Sequence, residues 1–167
     1  MAGVPDVYQG SESDFWALTD PDNRRAVDFA ALRRLLDEAD SAGSAAALAG
    51  TPAAKMLVTS RALRLRRDCP EWFAPQAPQT PLFPIGPAAE HAVAFLRGES
   101  AATVGTRLPA GLERAGGWRD TTLSLPPGRW HCRLTGREFH VDGSSGVPLD
   151  QLTAELPVAL LVREEAM

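Results

Sequence analysis

The sequence predicts an α+β protein: a buried strand, a long polar loop and two or three helices, followed by an all-β module. Three observations carry that expectation. Apolar residues recur at helical spacing as far as Pro70. Beyond a proline-rich stretch they fall instead into short alternating runs, separated by glycine, proline and aspartate. The leading strand also stands alone, and one parallel strand with its crossover helices has no sheet to join. The first part is therefore not a complete fold.

Composition narrows the function. The chain has 167 residues, with 44% hydrophobic and 23% charged, which suits a globular protein with a real core. A net charge of −4, from 17 basic and 21 acidic side chains, gives nucleic-acid binding no electrostatic support. Lys55 is the sole lysine, and arginine supplies the remaining positive charge, a pattern of codon usage in a GC-rich genome. Cys69 and Cys132 have neither metal-ligand nor redox spacing and read as reduced thiols. His91, His131 and His140 show no metal spacing and are expected on strands, so no metal and no cofactor are expected. No signal peptide is visible, and the longest apolar run, 157–162, is far too short to cross a bilayer. The expectation is a soluble, cytoplasmic protein without a membrane partner.

Residues 4–8, between Gly3 and Gly10, read as a buried strand of a parallel sheet, with Pro5 tolerated near its start. The polar loop 10–27 is long for a compact domain, and loops of that length are functional or disordered. Phe15 and Trp16 argue for order. Asp28 is an N-cap, after which Phe29, Leu32, Leu35, Leu36 and Ala39 share one helical face. Residues 41–50 form a loose connection or weak helix. Thr51-Pro52 starts a second helix, which ends before Pro70, and Arg61, Arg64, Arg66 and Arg67 near its end oppose the helix dipole. The prolines at 75, 78, 81, 84 and 87 mark a linker or domain boundary rather than an element.

Strand-like runs follow at 91–97, 101–107, 121–125, 130–134, 138–141 and 158–162, with turns at Pro126-Pro127-Gly128, Thr135-Gly136 and 142–146. This is the pattern of a small antiparallel sandwich or meander. Trp118 and Trp130 are expected in its core or at a domain interface rather than as a sugar platform. Gly143-Ser144-Ser145-Gly146 is a turn, not a nucleophile elbow.

Two motifs then suggest a family. Residues 3–12, GVPDVYQGSE, resemble the last-strand signature of the α-amylase clan of (β/α)8 barrels, glycoside hydrolase family thirteen. Asp20-Pro21-Asp22-Asn23-Arg24-Arg25 with Val27-Asp28 is sharper, and resembles the maltooligosyl trehalose synthases. Lys55 leading into Leu63-Arg64-Leu65-Arg66-Arg67, then His91-Ala92-Val93-Ala94-Phe95, Trp118-Arg119-Asp120-Thr121, Leu125-Pro126-Pro127-Gly128-Arg129-Trp130 and Leu156-Pro157-Val158-Ala159-Leu160-Leu161 agree in order and spacing. Ala26 and Thr106 depart from the family's usual prolines without removing a chemical group. The resemblance covers essentially the whole chain, but only the C-terminal part of such an enzyme. It implies the last strand, loop and helices of a (β/α)8 barrel in residues 1–77 and a C-terminal antiparallel β-sandwich domain in 78–167.

Such enzymes isomerise the reducing-end α-1,4 link of a maltooligosaccharide to α,α-1,1. The resemblance implies a retaining mechanism, with two carboxyl groups about 5 Å apart and a covalent glycosyl intermediate. The carboxylates of this clan sit on earlier barrel strands, so no catalytic residue is assigned and this chain by itself is expected to be inactive. Its partners would be a maltooligosaccharide or glucan and the missing N-terminal catalytic part. The stretch 3–25 is expected to form one wall of the sugar site. Asp20, Asp22 and Asn23 either shape the loop or bind sugar hydroxyls. Of Arg24 and Arg25, one would face sugar or a catalytic carboxylate and the other be structural. Trp16 either stacks on a glucose ring or holds the loop to the barrel. Tyr8, Gln9 and Lys55 complete the candidate substrate-binding set, and Glu12 reads as an anchor for the loop. The alternative reading is a non-catalytic carbohydrate-binding or structural module.

Overall fold

The structure, a computed structural model, describes residues 8–17 and 24–164. It mixes helix with a mostly antiparallel sheet and divides into two compact units, Met1–Arg64 and Leu65–Met167. The division falls inside the second helix, earlier in the chain than the boundary expected after residue 77. Apart from Tyr8, the expected leading strand lies outside the described residues.

In the first unit, α1 (Phe29–Ser41) begins where its cap predicts: the Asp28 carboxylate accepts from the Ala31 amide at 2.9 Å. Its apolar stripe is only partly covered, with Ala39 buried, Leu32, Leu35 and Leu36 half-buried and Phe29 exposed. The connection contains one turn of 3-10 helix, Ala46–Leu48. Helix α2 (Pro52–Asp68) starts at the proline of Thr51-Pro52 and stops short of Pro70. Ala53, Met56, Leu57 and Leu65 are its buried residues, and Arg66 and Arg67 occupy the last turn.

In the second unit, a six-stranded sheet runs in the order β1 (Gln79–Leu82), β2 (Ala92–Arg97), β3 (Ala101–Thr106), β8 (Val158–Arg163), β5 (Gly128–Cys132), β6 (Glu138–Val141), every pairing antiparallel. A second, two-stranded sheet pairs β4 (Thr122–Leu123) with β7 (Val147–Pro148). Two short helices, α3 (Pro109–Arg114) and α4 (Leu149–Leu152), complete it.

Register explains the core. Leu96 pairs with Ala102, Ala102 with Leu161, Leu161 with Cys132 and Trp130 with Phe139, so these side chains share one face of the large sheet. All are buried, together with Val104, Ala159 and Val141 two residues along their strands. Leu123, Leu149 and Leu152, from the small sheet and α4, are buried too. The opposite face carries Val93, Arg129 and Glu138, which are exposed, and His131, which is half-buried.

Two sequence expectations need correction. The proline-rich stretch is not merely a linker, because Gln79–Leu82 within it is strand β1, with Pro81 opposite Phe95. Proline is admissible there because β1 is an edge strand, whose outward side has no ladder to donate to. His91 is not on a strand: it ends a 3-10 turn, Ala89–His91, and β2 begins at the next residue. His131 and His140 lie on β5 and β6 as expected. Among the described residues no helix is long and apolar enough to cross a membrane.

Candidate functional site

The described part of the candidate wall is the loop 8–17 with the segment 24–28 that leads into α1. Its backbone turns at once: the Ser11 amide and hydroxyl both donate to the Tyr8 carbonyl, at 3.2 and 2.6 Å. Gly10 sits at φ +89°, a left-handed conformation open to glycine, with Val27 and Phe15 packed where a Cβ would point. The Gly10 amide donates to the Glu12 carboxylate at 2.8 Å, which gives Glu12 the anchoring role expected of it.

Beyond Glu12 the loop is held through its carbonyls. The Lys55 ammonium, on α2, donates to the Ser13 carbonyl at 2.8 Å. The Arg25 guanidinium donates to the Trp16 carbonyl at 3.1 Å. Between these two fixed points Phe15 is turned partly inward, and Trp16 projects with 87% of its surface exposed. A cleft of about 330 Å³ lies beside the indole, and Ser13, Asp14, Arg25 and Asp28 contribute to its lining.

The structure thus brings Arg25 and Lys55 to residues 13–16 of the loop, where Trp16 lies, and leaves other candidates outside that stretch. Tyr8 and Gln9 are exposed just before the turn, and Arg24 is exposed just before Arg25. Asp20, Asp22 and Asn23 lie outside the described residues. Sequence reasoning passed over Ser13 and Asp14, both in the cleft; a serine tied by its backbone carbonyl has no side-chain signature to find.

The second unit offers no comparable surface at its tryptophans. Trp130 is wholly buried and its indole N–H donates to the Pro126 carbonyl at 2.9 Å. Trp118 is buried as well, donating to the Thr153 hydroxyl at 2.8 Å. Both are core residues, as expected. Ser144 belongs to a turn closed on Asp142, whose carboxylate accepts from the Ser144 amide and hydroxyl, both at 2.8 Å. Those bonds hold the exposed Asp142 carboxyl below its ordinary pKa, the amide contributing first.

Among the described residues no three histidines, cysteines or acids gather as a metal site. An exposed indole beside a largely apolar cleft that Ser13, Asp14 and Arg25 also line can hold a polyhydroxyl ring by stacking and hydrogen bonding. The arrangement is a candidate binding surface backed by the helices of the first unit.

Comparison with known proteins shows what the chain is similar to. No family model matches the chain. It is 44% identical over 166 residues to a Mycobacterium tuberculosis H37Rv protein named, provisionally, a maltooligosyl trehalose synthase, covering 99% of this chain and 19% of the relative. The solved maltooligosyltrehalose synthase from Arthrobacter ramosus matches at 47% identity with a TM-score of 0.84, over 97% of this chain and 20% of that one. A further structure of a maltooligosyl trehalose synthase matches at 26% identity and a TM-score of 0.66, over 98% of this chain and 20% of its own. Along essentially its whole length, the chain is a homologue of the C-terminal part of the maltooligosyl trehalose synthases. It spans about a fifth of their length.

Proposed function

We propose that the chain acts as the C-terminal part of a (1→4)-α-D-glucan 1-α-D-glucosylmutase, an isomerase of trehalose biosynthesis in the cytoplasm. The observation that carries this is the match to that part of the synthases over 99% of the chain, 44% identical over 166 residues. In this reading residues 1–77 are the closing strand, loop and helices of a (β/α)8 barrel of glycoside hydrolase family thirteen. Residues 78–167 are a C-terminal antiparallel β-sandwich domain. The chain contributes a wall of the glucan site: Trp16 stacks on a glucose ring, and Tyr8, Gln9, Asp20, Asp22, Asn23 and Arg24 meet hydroxyls. The carboxylates that form and break the glycosyl bond belong to the preceding strands of the enzyme. With the reducing glucose enclosed, it turns over and attacks through its anomeric hydroxyl, and exclusion of water protects the intermediate.

The test is complementation. Maltopentaose incubated with this chain alone should lose no reducing ends. Addition of a polypeptide carrying the N-terminal four-fifths of a synthase should restore the loss, with a trehalosyl terminus as product. Reducing-end loss by the isolated chain, or failure of every such mixture, would overturn the reading. The burial of Trp118 and Trp130 argues against the alternative of a sugar-binding β module, since neither offers a ring face to a ligand.

A further inference from the structure

We propose that Lys55 is a positioning residue: by holding the Ser13 carbonyl it sets the orientation in which Trp16 faces the glucan. The role rests on the sugar-wall reading above, but the geometry stands apart from it. Loop carbonyls without a ladder need donors, and a charged donor makes the stronger hydrogen bond. Here the donor comes from a different element, 42 residues along the chain, so the bond fastens the loop to the α2 scaffold rather than to itself. The Arg25 guanidinium holds the Trp16 carbonyl three residues further on. With both carbonyls fixed, the short segment between them has little freedom: Phe15 packs against Gly10, and the Trp16 ring stands in solvent next to the cleft.

A stacking platform is effective only when its ring plane is set in advance, because ordering it on binding costs affinity. An aromatic with 87% of its surface in water gains little orientation from packing of its own. Its backbone must supply that orientation, and Lys55 is one of the two side chains that hold it. The same geometry explains why Lys55 need not touch sugar to affect binding: its ammonium is engaged by a backbone carbonyl of the loop.

The experiment uses the whole chain and two substitutions, Lys55→Met, which keeps the aliphatic stem but loses the donor, and Lys55→Arg, which keeps a donor. Hydrogen exchange is followed by mass spectrometry in peptides from the loop, α1 and α2. Maltopentaose binding is followed by calorimetry, with Trp16→Ala as the reference. In Lys55→Met, exchange at residues 13–17 should rise about tenfold, the scale of one charge-assisted bond. α1 and α2 should exchange as before and the melting temperature should hold. Maltopentaose affinity should fall several-fold, less than in Trp16→Ala, and Lys55→Arg should restore both readouts. Unchanged loop exchange overturns the proposal, and so does raised exchange with undiminished affinity. If the unsubstituted chain binds no maltopentaose, the sugar reading fails and the exchange readout alone decides the role of Lys55.

Discussion

Arg64 of α2 grips Asp40 of α1 with both prongs of its guanidinium, Nη1 to Oδ1 and Nη2 to Oδ2, each at 2.6 Å. The pair fastens the two helices that back the candidate loop. Its planar fork is why arginine serves here better than lysine would. The hydrogen bond from Arg64 holds the Asp40 carboxyl below its ordinary pKa. A depressed carboxylate stabilises the fold above its unfolded pKa and loses that contribution as pH falls through its folded value.

From this pair we expect Arg64→Ala to cost about 0.5–1 kcal/mol at neutral pH, a modest value because both side chains are about a third exposed and screened by water. The cost should shrink in high salt. It should also decline as pH drops below the usual aspartate value of about 3.9, and vanish once the pH has fallen through the lower folded value of Asp40 and protonated it. Urea unfolding of wild type and variant at several pH values checks this; a difference that persists fully in strong acid would contradict it.

The start of α1 gives a second expectation. Asp28→Ala removes the acceptor for the Ala31 amide and should cost about 1 kcal/mol, whereas Asp28→Asn should retain most of the cap. Helical circular dichroism during urea unfolding resolves the two variants.

In the second unit, Thr121 is fully buried and its hydroxyl accepts from the Ala88 amide at 2.9 Å. Thr121→Val keeps the shape but leaves that amide unpaired, so a loss of about 1–3 kcal/mol is expected. Thr121→Ser should lose less. Gly86→Ala should also destabilise, because Gly86 is at φ +132° and a Cβ there would lie 2.6 Å from the Thr121 Cα. Thermal melts of the four proteins test the ordering.

Trp130 anchors the sheet core, so Trp130→Ala should cost about 3–5 kcal/mol. Trp130→Phe forfeits the bond to the Pro126 carbonyl and should cost less. Neither substitution should alter glucan affinity in chains that remain folded, which calorimetry can establish.

The edge position of β1 predicts an asymmetry. Pro81→Val should be nearly neutral, within about 0.5 kcal/mol, because the proline already sits where an amide is dispensable. Thr103→Pro, in β3 between two partner strands, should cost about 3 kcal/mol or more. Denaturant midpoints of the two variants decide the matter.

Much of the scaffold was legible because its signals are local. Asp28 capped its helix through its own side chain, Thr51-Pro52 opened the next, and Pro70 lay just past its end. Alternation marked β2, β3, β6 and β8 almost to the residue. β1 was hidden since a strand crowded with prolines looks like a linker until its partner is known. β7 and α4 were hidden because elements of two and four residues carry too short a pattern. At the candidate site, the exposed aromatic and the arginine next to it could be named in advance. The clamp on Ser13 could not.

The sequence by itself determined the helices, the alternating strands, the turns and the kinship with the synthases, since caps, periodicity and ordered motifs are written in neighbouring residues. Only the tertiary structure decided that β8, last in the chain, lies between β3 and β5. It alone joined Arg64 to Asp40 and brought Lys55 to Ser13. Such pairings join residues far apart in sequence, and the energy that selects them exists only once packing has brought the partners together.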